Sequence, residues 1–438
     1  MSHADAAMVW RKTNAPIASS RTDDIWFASA DIGWAVNSNG QILKTSDGGR
    51  NWVEQLSDDT VYLRCVGFSG TQIGWVGSIS AARRLFATRD GGATWKVVEN
   101  LPPKPTKICG ISVVDDQVVY ASGTNDPRDD PAVLKTTDGG ATWTSIDMRA
   151  QASLLVDIHF ETRDRGWVVG GRDAVPCPGR RATREVVWPV VLFTEDGGAT
   201  WKDLLPAKRE FPLGEWGWKI FFLNDRVAFV SLENFLDGAI LKSVDGGKTW
   251  QRVRINDRQR NADLEGVGFL SEDVGWVGGW GDANFEGGFT SATTDGGRNW
   301  DNANEVGFRL NRFRFLGNPV TVGYASGDTV YKLSAEPVAA VNEVAARSLL
   351  REDRAAGAVA ATAPRIDVPD GAGKLSVGLW DRFGNYLELT SQDAPPAGEQ
   401  SIRLDPEAVA AAGLQGSAGI LRVTIDGRSE SRLIPLAR

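Results

Sequence analysis

Six copies of one short stretch constrain this chain more than any other feature. Each reads Thr-x-Asp-Gly-Gly-x-Thr-Trp or a near variant, beginning with Thr45-Ser46-Asp47-Gly48-Gly49-Arg50-Asn51-Trp52. The aspartates are Asp47, Asp90, Asp138, Asp196, Asp245 and Asp295, separated by 43, 48, 58, 49 and 50 residues. Recurrence on this scale marks one supersecondary unit repeated along the chain, as in a solenoid, a propeller or an array.

The chemistry of each copy is that of a β-hairpin. A short apolar run (Ile42-Leu43-Lys44, Val133-Leu134-Lys135, Ile240-Leu241-Lys242) leads into Asp-Gly-Gly, and a strand restarts at the Trp. Glycines supply the positive φ of a tight turn, and the Asp side chain can accept from backbone N–H groups nearby. The Trp is large and amphipathic, suited to covering the turn between neighbouring hairpins. Reading the turns as calcium loops is weaker, since each offers one carboxylate where Ca²⁺ wants six or more oxygens.

A second repeated signal fixes the number of units. A Gly-Trp, or another aromatic opening a strand, recurs at Trp34, Trp75, Tyr120, Trp167, Phe229, Trp276 and Tyr324. That is seven, one more than the Asp-Gly-Gly turns. The seventh unit, residues 310–335, reaches Tyr331-Lys332-Leu333 and stops without a turn motif. Met8-Val9-Trp10-Arg11-Lys12 resembles the strands that follow each turn, such as Trp95-Lys96-Val97-Val98. It is predicted to supply the missing outer strand, closing seven four-stranded blades into a ring without open sheet edges.

The composition shifts after Pro337. Val338 to Leu350 is predicted as a short helix, and Arg354 to Pro364 as an Ala-rich linker. From Ile366 onward alternating runs return, including Leu375 to Asp381, Tyr386 to Thr390, Ser401 to Leu404, Gly419 to Ile425 and Arg432 to Pro435, with a turn at Arg382 to Asn385. This spacing predicts a small antiparallel sandwich. The fold class is therefore all-β: a seven-bladed propeller over 1–337, a helix and linker over 338–365, and a β-sandwich over 366–438.

The net charge of −8 argues against a nucleic-acid partner, whose binding rests on Lys and Arg neutralising phosphates. No 18-residue apolar run suited to membrane insertion occurs, and residues 1–15 lack the basic and apolar regions of a signal peptide. The expected location is cytoplasmic, or periplasmic or secreted if a leader has been trimmed. Three cysteines make no disulfide framework.

Function is expected on the face opposite the Asp-Gly-Gly turns, where loops vary in length. The blade-four loop from Gly171 to Val190 is the longest, carrying Arg172, Cys177, Arg180, Arg181, Arg184 and Trp188. Lys208 to Gly217 enters blade five with Trp216 and, just inside, Trp218. Blade six adds Trp280, Asp282 and Glu286, and blade three adds Asp126, Arg128, Asp129 and Asp130. The first strands add charge near the channel mouth: Asp23, Asp24, Arg64, Lys107, Asp157 with His159, Lys219, Asp263, Glu265, Arg312 and Arg314. Mixed charge at a pocket mouth suits a polar ligand or peptide, while isolated rim charges are often only solvated. Trp188, Trp216, Trp218 and Trp280 lie outside the repeat, and grouped aromatics stack on sugars or anchor partners. Cys65, Cys109 and Cys177 show no metal-ligand spacing and read as small buried apolar residues. No cofactor is implied.

His-Glu-x-x-His, Gly-x-Ser-x-Gly, P-loop and dinucleotide fingerprints are all missing from the sequence. An acid–base pair such as Asp157 and Glu265 leaves a glycosidase or lyase as the enzymatic alternative.

The turn motif resembles the Asp-box, or BNR repeat, which sits between the third and fourth strands of propeller blades and is structural there. Sialidases carry such boxes but resemble six-bladed rings with an Arg-Ile-Pro motif not found here. Xyloglucan-active glucanases of the Asp-box type set two propellers face to face, and one propeller fits this chain. Ile25-Trp26-Phe27, Gly33-Trp34-Ala35-Val36 and the run to Trp52 together resemble the photosystem II stability and assembly factor family and its bacterial relatives, over about residues 8–337. That resemblance implies a non-catalytic protein that binds a protein or peptide. The C-terminal strands resemble Ig-like domains of the flagellar hook-capping and secretion-tail type. The chain departs from the assembly factors by carrying this extension.

Overall fold

A computed structural model describes residues 8–176, 181–205, 210–258, 261–281, 287–335, 364–380, 386–414, 418–426 and 428–435. The predicted helix at 338–350, the linker up to 363, the turn at 382–385 and the candidates Cys177, Arg180, Lys208, Asp282 and Glu286 lie outside the described residues. Seven four-stranded antiparallel sheets follow one another, six of them with their strands in chain order and the seventh completed by the N-terminal strand. Blade one consists of Thr22–Phe27, Gly33–Asn37, Gln41–Thr45 and Val53–Ser57. Blade seven has three strands of its own, Arg312–Leu316, Val322–Ser326 and Val330–Ser334. Its fourth is the N-terminal Val9–Lys12, with Val9 opposite Ser334 and Lys12 opposite Tyr331. The ring closes as the sequence predicts.

Each Asp-box is a self-capped turn. In blade one, Thr45 Oγ1 donates to Asp47 Oδ1 at 3.0 Å, and Asn51 donates from its backbone N at 2.8 Å and its side chain at 2.6 Å. Gly48 and Gly49 hold φ of 71° and 89°, a region that side chains resist. These bonds favour the ionised carboxylate. Those of Asp90, Asp138, Asp196 and Asp295, where bonds to the Thr or Asn four residues on lead, are held down to about 2.

The boxes also join one blade to the next. Lys44 Nζ, in the strand before the first box, donates to the carbonyl of Gly91 in the second box at 3.0 Å. Lys135 does the same to Gly197 at 2.9 Å, Lys242 to Gly296 at 2.9 Å and Lys332 to Gly48 at 3.0 Å. The same ammoniums lie over the strand aromatics, Lys44 at 4.9 Å from Trp34 and Lys135 at 5.3 Å from Tyr120. Each aromatic in turn stacks on a Phe of the following blade: Trp34 on Phe68, Tyr120 on Phe160, Phe229 on Phe269 and Tyr324 on Phe27, with centroids 3.5–3.9 Å apart. The box Trp closes the stack edge-on, as Trp95 does on Phe68 and Trp300 on Phe269. The Gly of Gly-Trp is required here, because a Cβ on Gly33 would lie 2.3 Å from the Phe27 ring.

The C-terminal residues form a four-stranded antiparallel sheet in the order Tyr386–Asp393, Lys374–Trp380, Ala418–Ile425, Arg428–Pro435. A two-stranded sheet of Arg365–Val368 and Gly398–Ser401 accompanies it, as does the helix Pro406–Ala411, capped by Asp405. Ile366, Val368, Leu375, Val377, Leu379, Leu421 and Val423 build its own core.

Trp10 is buried against Trp276 and Phe313 at 5.4 and 5.8 Å. Trp10→Ala is expected to lose roughly 3–5 kcal/mol, as for a buried Trp elsewhere, measured by urea denaturation. Lowered carboxylate pKa values contribute stability that is full above the ordinary value near 3.8 and lost as pH falls through about 2. The thermal midpoint is therefore expected to fall steeply between about pH 4 and 2, and an Asp90→Asn/Asp138→Asn variant to show a shallower fall.

Candidate functional site at the channel mouth

The first strands should alternate channel-facing and blade-facing side chains. Five of the seven break that alternation near their starts. Register shifts fall between Thr22 and Asp24, Leu63 and Cys65, Leu155 and Asp157, Gly217 and Ile220, and Leu264 and Gly266. A bulge leaves its extra residue unpaired and re-aims its side chain. The residues so placed are Asp23, Arg64, Val156, Trp218 with Lys219, and Glu265. Five of the sequence candidates, Asp23, Arg64, Trp218, Lys219 and Glu265, are thus bulge residues.

The charges meet in two linked groups. Asp23 Oδ1 accepts from Arg21 Nε at 3.0 Å and from Arg64 at 2.9 Å, while Arg21 also pairs with Glu265. Glu265 Oε1 accepts from Trp280 Nε1 at 2.9 Å, and the Arg21 guanidinium lies 4.7 Å over the same indole. In the second group, Arg312 donates to Asp24 at 2.9 Å and to both oxygens of Asp157 at 2.9 and 2.8 Å. Asp157 also accepts from the backbone N of Ile220 at 3.0 Å, tying blades four, five and seven together. Burial alone would raise the Asp157 pKa, but Arg312 and Lys219 outweigh it and hold the group down to about 2. Burial lowers Lys219 and, with Arg312 beside it, brings Arg314 down to about 10.

Above this network lies an aromatic cluster. Tyr62, Cys109, Leu154, Val156, Trp216 and Trp218 pack together, and Trp380 of the C-terminal sheet belongs to the same cluster. Arg64 lies 4.8 Å over Trp218 and Arg184 4.8 Å over Trp216. Trp218 Nε1 donates to Asn311, whose amide donates to the carbonyl of Asp23.

Of the sequence candidates, Arg64, Asp157, Lys219, Glu265, Arg312 and Arg314 converge on the channel, and Asp263 is buried in the same strand as Glu265 at φ 52°. His159 shares the strand face of Asp157 and lies within electrostatic range of Asp157, Arg312 and Arg314. It stacks on Phe222 at 4.6 Å, and burial pushes its pKa down to about 4, leaving a neutral packing residue. Trp216, Trp218 and Trp280 are buried rather than open for stacking, and Trp188 is half-buried. The stretch read as the long blade-four loop is partly a hairpin, since Gly171 pairs with Pro189 and Asp173 with Val187. Cys65 and Cys109 are buried free thiols with raised pKa, and the described residues contain no cluster able to hold a metal. Sequence reading missed Arg21, Tyr62, Asn311 and Trp380. The signal for Trp380 was available: it sits on the outward register of a strand whose inward residues are Leu375, Val377 and Leu379.

A family model described as "Photosynthesis system II assembly factor YCF48" matches residues 2–147. The propeller resembles the photosystem II assembly factors. The chain is 26% identical over 302 residues to the "Photosystem II assembly lipoprotein Ycf48" of Trichormus variabilis, an alignment covering 61% of this chain and 83% of that protein. A solved structure titled "YCF48 bound to D1 peptide" matches with a TM-score of 0.52 at 17% identity, covering 75% of this chain and 96% of the other. A GH74 enzyme from Niastella koreensis matches at 0.53 with 11% identity, over 96% of this chain and 67% of that one. At such identities the structural likenesses establish the propeller fold alone. Among the described residues no helix is long and apolar enough to cross a membrane.

Breaking a buried ion pair strands its partner in low dielectric. Asp157→Asn is therefore expected to destabilise the protein by roughly 3–5 kcal/mol, read as a lower urea midpoint with unchanged slope.

Proposed function

We propose that this chain is a non-catalytic binding and scaffolding protein, recognising a protein or peptide partner on the propeller face opposite the Asp-boxes. The observation that carries this reading is the Ycf48-type repeat, shared with a relative solved with a bound peptide. The mouth chemistry supports it. The carboxylates a hydrolase would need are held by arginines and an indole, and His159 is stacked on Phe222 and held neutral by burial. In this reading Arg64, Asp157, Lys219, Asp263, Glu265, Arg312 and Arg314 form a rigid frame. Trp188, Trp216, Trp218 and Trp280 back the loops that meet the partner. The chain divides into a propeller to about residue 337, a connector to 365, and a small β domain beyond it.

The carbohydrate reading has less support, because Trp216, Trp218 and Trp280 are not presented as open stacking platforms. Cross-linked capture from a host extract tests the proposal. An Arg83→Glu/Arg181→Glu variant, on exposed loops of the proposed face, is expected to lose the captured protein at least tenfold. An Arg50→Glu/Arg298→Glu variant among the boxes should keep it. Loss only in the second variant, or glycan-array binding with no protein captured, would overturn the proposal.

A further inference from the structure

The C-terminal sheet presents two unlike faces. Leu375, Val377 and Leu379 of one strand, with Leu421 and Val423 of its neighbour, point into the sheet's own core. Alternation turns Ser376, Gly378, Trp380, Arg422 and Thr424 the other way. Ser, Gly and Thr suit a surface. Trp380 does not, and Arg422 would ordinarily be solvated, yet they are only 2% and 3% exposed. Both are covered by the propeller.

The contact is specific. The Trp380 indole enters the cluster of Tyr62, Ile79, Cys109, Trp216 and Trp218 at the channel mouth. Arg422 lies 5.9 Å from that indole and donates to the backbone carbonyl of Asp59, in the loop between blades one and two, at 2.7 Å. Beside this plug the surfaces separate, leaving a groove of about 360 Å³ lined by Asp59, Thr60, Ser376, Tyr386, Glu388 and others. An inserted aromatic with a neighbouring guanidinium, next to an unfilled groove, is an anchor-in-pocket contact and not a continuous interior.

We infer that the pocket around Tyr62, Trp216 and Trp218 is the anchor site for the propeller's partner, a peptide bearing an aromatic side chain next to a cationic one, and that Trp380 and Arg422 occupy it in cis. The partner then competes with the chain's own sheet, and its apparent affinity is reduced by the fraction of molecules in which the plug is seated. This inference rests on the proposed peptide-binding reading and names the chemistry and the control of that same face.

The test needs no natural partner. Full-length wild type and Trp380→Ala are titrated with the amide of an N-acetylated Arg-Trp dipeptide, and hydrogen exchange is followed over residues 62–66 and 216–222. Trp380→Ala is expected to exchange faster at both segments without probe. It should bind the probe with protection of 216–222 at least about tenfold more tightly than wild type. Continued protection of 374–379 certifies that the sheet is still folded. Should that protection be lost, Arg422→Gln, which touches the propeller and not the sheet core, replaces it with the same expectations. Unchanged exchange at the mouth, equal probe affinity in both proteins, or faster exchange without probe protection would each overturn the inference. None of these results would bear on whether a protein is captured by the loop face, so the two proposals fail separately.

Discussion

The structure depends on one repeated contact between blades. A strand aromatic lies between the ammonium of its own blade and the phenylalanine of the next, and the ammonium tip reaches the carbonyl of the next Asp-box. Three weak terms act on one ring: burial, stacking and cation–π attraction, the last two each worth roughly 0.5–1.5 kcal/mol. The full geometry recurs at four of the seven blade junctions, those of Trp34, Tyr120, Phe229 and Tyr324, and there it sets the spacing between blades without any long connection. Blades two, four and six carry Ala87, Phe193 and Ala292 in place of the lysine, and in the first two Arg89 and Arg165 donate instead to the carbonyls of Gly139 and Gly246.

The rigid outer ring explains how the channel tolerates so many buried charges. Carboxylates and guanidiniums removed from water are costly unless their geometry is fixed. Bulges re-aim Asp23, Arg64, Lys219 and Glu265, and cross-blade bonds such as Arg312 to Asp157 complete the pairing. The charged layer then does what an apolar core does elsewhere. It joins blades one, four, five and seven across the axis, where the first strands converge.

The ring was legible in the sequence because its determinants are local. Asp-Gly-Gly specifies a turn, Gly-Trp specifies a close approach, and counting the two revealed both the seventh blade and the closing role of Trp10. The mouth was only partly legible. Arg64, Asp157, Lys219, Glu265 and Arg312 could be placed near it from strand position, but their pairing depends on bulges, which carry no fixed motif. His159, two residues after Asp157 on the same strand face, was placed correctly by strand position, while its stacking on Phe222 of the next blade was not legible. The outward register of Trp380 was legible from strand alternation, but the surface it packs on was not, because its partners lie more than 150 residues away in sequence.

Closure through the N-terminal strand also has a consequence for the order in which the molecule can be made. Val9–Lys12 is synthesised first, yet its partner Val330–Ser334 is the last strand of the propeller to appear. Until then the ring has two open edges, and both are of the kind that pair with foreign strands. Blades one to six can form as they emerge, held by the contacts each makes with its predecessor, while the first strand waits unpaired. The propeller is therefore completed in a single late step, and its earliest residues are among the last to gain their native neighbours.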